Sequence, residues 1–68
     1  MTTPSMIDTR LLDVFSRLGQ GPRTTEFART LQWLHGLKVG AVVRLIDDAI
    51  KMEQVTLTDG HIYLLQSP

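Results

Sequence analysis

The hydrophobic period changes near Gln54, and this change constrains the fold more than any other feature. Before it, apolar residues recur at helical spacing. After it, Val55-Thr56-Leu57-Thr58 and His61-Ile62-Tyr63-Leu64 alternate on either side of Asp59-Gly60. Asp-Gly between alternating segments is a strong hairpin signal, because a type I′ turn needs positive φ at both central residues. A two-residue turn also fixes the register. Thr58 opposes His61, Leu57 opposes Ile62, Thr56 opposes Tyr63 and Val55 opposes Leu64, and opposed residues share a face. Val55, Leu57, Ile62 and Leu64 therefore form an apolar face, while Thr56, Thr58, His61 and Tyr63 form a polar one. A lone hairpin is barely stable in water, so the apolar face is expected to pack on helices.

The strongest helical segment is Lys38 to Gln54. At helical spacing, Val42, Val43, Leu45, Ile46, Ala49, Ile50 and Met52 fall on one wide apolar face. Arg44, Asp47, Asp48 and Lys51 fall opposite, with Asp47 four residues before Lys51 and Arg44 four before Asp48, the spacing of helical ion pairs. An earlier helix is predicted from Met6 to Leu18, with Ser5 and Asp8 resembling a capping box. Ile7, Leu11, Val14, Phe15 and Leu18 make its apolar stripe, and Leu12 lies off it. Gly19-Gln20-Gly21-Pro22 ends that helix. Pro22-Arg23-Thr24 reads as a link or a brief edge strand. Thr24 or Thr25 then caps a second helix, predicted from about Thr25 to Trp33, with Phe27, Ala28, Leu31 and Leu34 as its apolar positions. His35-Gly36 is the break before the third helix.

A 68-residue chain is expected to form one domain, here residues 6–66 behind a flexible tail of residues 1–5. At this size a domain buries only about 60% of its unfolded surface. There is no cysteine, which excludes disulfides and Cys-based metal sites. Seven basic and seven acidic residues give zero formal net charge, so any positive patch must be local. No apolar run is long enough to span a bilayer, and Met1 to Met6 lacks the charged start of a signal peptide. The expectation is a soluble cytoplasmic protein without membrane contact.

The order helix, extended link, helix, turn, longer helix, hairpin resembles the winged helix-turn-helix domains over Ile7 to Leu65. Thr24-Thr25-Glu26-Phe27-Ala28 is similar to the entry of that family's second helix, and Val42-Val43-Arg44-Leu45-Ile46 to its third. Ile50 to Val55 leads into a strand, and Asp59-Gly60 followed by Ile62-Tyr63-Leu64 looks like the closing wing. The fold expected is α+β: three helices followed by a C-terminal β-hairpin. The resemblance implies a small DNA-binding transcriptional regulator, its third helix in the major groove and its wing on the backbone. Lys38, Gly40, Ala41 and Arg44 become the base-edge candidates, since Arg pairs with guanine acceptors and small residues let the backbone approach. Arg23 and Thr25 before the second helix, with Thr58 and His61 on the wing, become the phosphate candidates. A homodimer on adjacent half-sites would add area and contacts, with Leu12, Trp33 or Leu65 as candidate interface positions.

A bland reading stands beside each of these. Lys38 and Arg44 suit a solvated face, and Trp33 suits core packing. The adjacent acids Asp47 and Asp48, a wing without Lys or Arg, net neutrality and an unusually long stretch from Ala28 to Val42 suit a protein-protein interaction module instead. That module would contact a protein partner through Trp33, Leu37, Met52 or Tyr63, or through a free hairpin edge. His35 and His61 have no partner at metal-ligand spacing, so no metal is expected. No phosphate loop or nucleophile set is present, and neither an enzyme nor a cofactor is expected.

Overall fold

A computed structural model of the chain describes residues 6–65. Its elements are α1 (Thr9–Leu18), α2 (Thr24–His35), α3 (Val39–Lys51), β1 (Val55–Thr58) and β2 (His61–Leu64). This is the α+β order expected, three helices and then an antiparallel pair. The expected tail, residues 1–5, and the Ser5 cap lie outside the described residues.

α1 begins three residues later than its apolar stripe predicts, because Asp8 itself is the N-cap. Its carboxylate accepts from the Arg10 backbone N–H at 2.8 Å, satisfying one of the donors a helix start leaves open. Ile7 thus packs on the core from just outside the helix.

α2 is longer than expected at both ends. Neither threonine is its cap: Arg23 holds that position in extended backbone, with no side-chain capping bond. The cause is tertiary. Arg23 forms a β-bridge to His61, and Thr24 donates both its N–H (2.8 Å) and its hydroxyl (3.1 Å) to Gly60 O. The link is therefore an edge strand in miniature. At the other end α2 runs on to His35, and left-handed Gly36 stops it. The long stretch between Ala28 and Val42 is accounted for by extra helix.

α3 is shorter than predicted. Its cap is Met52, and Glu53 turns the chain with φ 58°. Gln54 N–H then bonds Ala49 O at 2.8 Å, which directs the chain into β1. The hairpin register matches the expected one at every pair. Asp59 (φ 52°) and Gly60 (φ 76°) supply the two positive φ values that a type I′ turn requires.

Leu11, Val14 and Phe15 of α1, Phe27 and Leu31 of α2, Val42, Ile46 and Ala49 of α3, and Val55 and Ile62 of the hairpin make one core. Phe15 and Phe27 meet as tilted rings with centroids 4.6 Å apart, a favoured aromatic geometry. Three expectations fail at the edges of this core. Val43 and Met52 lie on the predicted apolar face of α3 but are 59% and 54% exposed. Leu57 shares a face with buried Ile62 yet stands exposed near the hairpin tip. Trp33, read as core packing, is 79% exposed. The core needs only the middle of each apolar face, so side chains at the margins are left to solvent. None of the helices is long and apolar enough to cross a membrane.

Candidate nucleic-acid interface

The eight candidate contact residues fall into separate groups. Gly40, Ala41 and Arg44 are exposed on α3 and line a shallow groove towards Arg10 of α1. Arg23, His61 and Thr58 stand in one row across the sheet, because His61 is the bridge partner of Arg23 and the strand partner of Thr58. Thr25 lines a second groove between α2 and α3, opposite Val39 and Val43. Lys38 is the exposed N-cap residue of α3.

Local folding explains each position. The first turns of α2 and α3 both lack a side-chain cap. In α2 the Thr24 N–H is taken by Gly60 O, and the N–H groups after it, like those of the first turn of α3, have the partial positive charge of a helix start behind them. The His61 ring is oriented by Nδ1, which lies 2.8 Å from Gly21 O. A carbonyl only accepts, so Nδ1 carries the hydrogen.

Ion pairing divides the cations sharply. Arg10 pairs with Asp8 at 2.8 Å, Arg17 with Asp13 at 3.3 Å and Lys51 with Asp47 at 3.8 Å. The Asp8 carboxyl is held below its ordinary value, chiefly by the Arg10 side-chain hydrogen bonds. Asp13 also meets His35 Nε2 at 3.1 Å, tying α1 to the end of α2. Among the described residues, Arg23, Arg29, Lys38 and Arg44 are in no ion pair, and all four are exposed on α2, α3 or their entries. The anticipated Arg44–Asp48 pair does not form. Asp47 and Asp48 nonetheless share the exposed side of α3 with Arg44, one turn further along.

Arg29 is the cation that sequence reasoning missed. It lies mid-helix, just past the entry of α2 that the resemblance singled out, and only the packing of α3 on α2 sets it across a groove from Val39 and Val43. Its four-residue spacing from Thr25 on the outer face of α2 was the one available signal.

The three candidate interface positions, Leu12, Trp33 and Leu65, are all exposed. Leu12 lines a shallow apolar groove between α1 and Leu64 of β2, with exposed Leu65 next in the chain. Trp33 lines neither that groove nor the two grooves beside α3. Among the described residues, no three acidic or histidine side chains are grouped to hold a metal ion.

No protein-family model matches the chain, and no curated protein or solved structure matches it.

Proposed function

We propose that this domain binds duplex DNA and acts as a small transcriptional regulator by occupying an operator. The N-terminal half of α3 enters the major groove, where Arg44 and Lys38 reach base edges while Gly40 and Ala41 allow close approach. Arg23 and Thr25 at the start of α2, with Thr58 on the hairpin, fix the register on phosphates, and His61 joins them only when Nε2 carries a hydrogen as well, since its Nδ1–H is held by Gly21 O. One observation carries the reading. In a chain of zero net charge, Arg23, Arg29, Lys38 and Arg44 are free of ion pairs and stand exposed on α2, α3 or their entries, while Arg10 and Arg17 of α1 and Lys51 at the far end of α3 are paired. Local positive charge of this kind is what a phosphate backbone recruits. A homodimer on adjacent half-sites would double a small contact area.

A second reading has its own support. Trp33 is 79% exposed, and exposed tryptophans are enriched at protein interfaces. With Asp47 and Asp48 on the outer side of α3, this favours a protein-interaction module.

Fluorescence anisotropy on random duplex DNA separates the two. With three or four phosphates neutralised, affinity should fall about 40- to 150-fold between 50 and 200 mM salt, and Arg44→Ala should weaken binding at both. Absence of binding at low salt would reject the DNA reading and turn attention to a protein partner at Trp33.

A further inference from the structure

In the row that Arg23, His61 and Thr58 form across the sheet, His61 is the member whose charge changes near neutral pH. Opposed residues of a ladder share a face and successive residues alternate, so the row lies on the face turned away from buried Ile62. The ring is half-buried and is held by Nδ1, 2.8 Å from Gly21 O. Among the described residues, this is the one hydrogen bond the ring makes. A neutral imidazole carries a single N–H, and here Gly21 O takes it. Nε2 then offers a phosphate oxygen a lone pair instead of a hydrogen. Protonation puts a second N–H on Nε2 and a positive charge on the ring, and it leaves the Nδ1 bond in place.

We propose that His61 is a proton switch on the phosphate contact, so that the domain holds duplex DNA more tightly as pH falls through the range where histidine is protonated. Only the imidazolium can donate to a phosphate, and it does so with charge assistance. This rests on the DNA-binding reading above and names how that same site is regulated. Gly21 O positions the ring in both states, so protonation changes its charge and its donors rather than its place.

The added charge stays available to an outside anion. The charged and titratable groups on the elements that meet His61 are Arg23 in the link, Glu26 in the first turn of α2, Asp59 in the hairpin turn and Tyr63 on β2. Among the described residues, neither carboxylate is in an ion pair with His61, and Arg23 is in no ion pair either. A phosphate set against both cations relieves the repulsion between two like charges that the bridge places on neighbouring strands. His35 is the contrast. Its Nε2 lies 3.1 Å from Asp13 Oδ2, so a charge gained there is answered within the protein.

The test is anisotropy on a random duplex over a salt series, at about pH 8 and about pH 5.5, on either side of the ordinary histidine titration. It uses the full chain and two variants. His61→Asn keeps a side-chain N–H for Gly21 O but cannot titrate, and His35→Gln removes the only other histidine. In the parent, the slope of log K against log salt should steepen by about 0.9 at the lower pH, the value of one further phosphate contact. His35→Gln should keep that change and His61→Asn should lose it, with both folds checked by circular dichroism. Two readouts need no variant. Ring nitrogen resonances at about pH 8 should place the His61 hydrogen on Nδ1. Adding DNA at about pH 6.5 should shift them towards the imidazolium, because protonation and binding favour each other reciprocally. A parent slope that does not change with pH, equal steepening in folded His61→Asn, or a hydrogen on Nε2 in the neutral ring would overturn this inference and leave the DNA reading standing. No binding at either pH at low salt would overturn both.

Discussion

Gln20 completes the sheet by placing its side-chain amide against the backbone of Leu64. Oε1 accepts from the Leu64 N–H at 2.8 Å, and Nε2 donates to the Leu64 carbonyl at 3.2 Å. The amide continues the edge begun by the link, where Ile62 exchanges bonds with Gly21 and Pro22. The outer edge of β2 is thus paired along its length, as sheet edges that avoid foreign strands are. Among the described residues, no other strand pairs with β1 on its second edge.

Gln20→Ala should remove both bonds and cost about 0.5–1 kcal/mol, the low end for hydrogen bonds at an exposed site. The sharper readout is amide exchange. Leu64 N–H should lose protection in the variant while Ile62 N–H, bonded to Pro22 O at 3.0 Å, keeps it. Equal loss at both would mean that the link detaches as a whole.

Gly21 combines two constraints. Its φ is +76°, and a Cβ built there would lie 2.8 Å from Tyr63 Cε2. Gly21→Ala should therefore lower stability by about 1–2 kcal/mol from backbone strain, with displacement of the Tyr63 ring in addition. Thermal unfolding gives the first effect. A shift of the Tyr63 ring resonances gives the second, and unchanged resonances would contradict the contact.

Val43 and Ile46 test which part of α3 is core. Ile46 is 7% exposed against 59% for Val43. Ile46→Ala should cost about 2–5 kcal/mol, enough to unfold much of so small a domain. Val43→Ala should stay within about 0.5 kcal/mol, as surface changes do. Similar losses for the two variants in urea unfolding would restore the wider apolar face that periodicity predicts.

Asp8 makes α1 sensitive to acid. Arg10 donates Nε to Oδ1 at 2.9 Å and Nη2 to Oδ2 at 2.8 Å, and these bonds hold the carboxyl below its ordinary value of 3.8. A pKa depressed on folding stabilises the protein above the unfolded value, and that stability is lost as pH falls through the folded value. Asp8→Ala should cost about 1 kcal/mol at pH 7, through the lost cap. The gap from the parent should narrow below pH 3.8. A gap that holds constant down to pH 2 would separate Asp8 from the acid response.

The unpaired cations predict a pattern in DNA binding. Arg23→Ala and Arg29→Ala should each reduce the salt slope by about 1. Arg17→Ala should leave it unchanged, since Arg17 is paired with Asp13 on α1. A larger effect at Arg17 than at Arg29 would move the contact surface away from α2 and α3.

The local parts of this architecture are legible in the sequence. Asp59-Gly60 and the alternation around it determine the hairpin and its register, because turn chemistry and a period of two are properties of neighbouring residues. His35-Gly36 marks the break between α2 and α3 for the same reason. The exposed cations Lys38 and Arg44 are legible too, by helical phase. What periodicity cannot decide is how much of an apolar face its neighbours cover. Val42, Ile46 and Ala49 are buried while Val39 and Val43 are exposed, because α2 and β1 pack on only part of α3. Trp33 is exposed although it is the largest side chain in the chain, because α2 turns Phe27 and Leu31 to the core instead. The α1 cap, the Gln20–Leu64 amide and the division of cations into paired and unpaired depend on atoms brought together by the packed chain. Those distances, rather than any spacing along the sequence, set Arg29 opposite the two exposed valines.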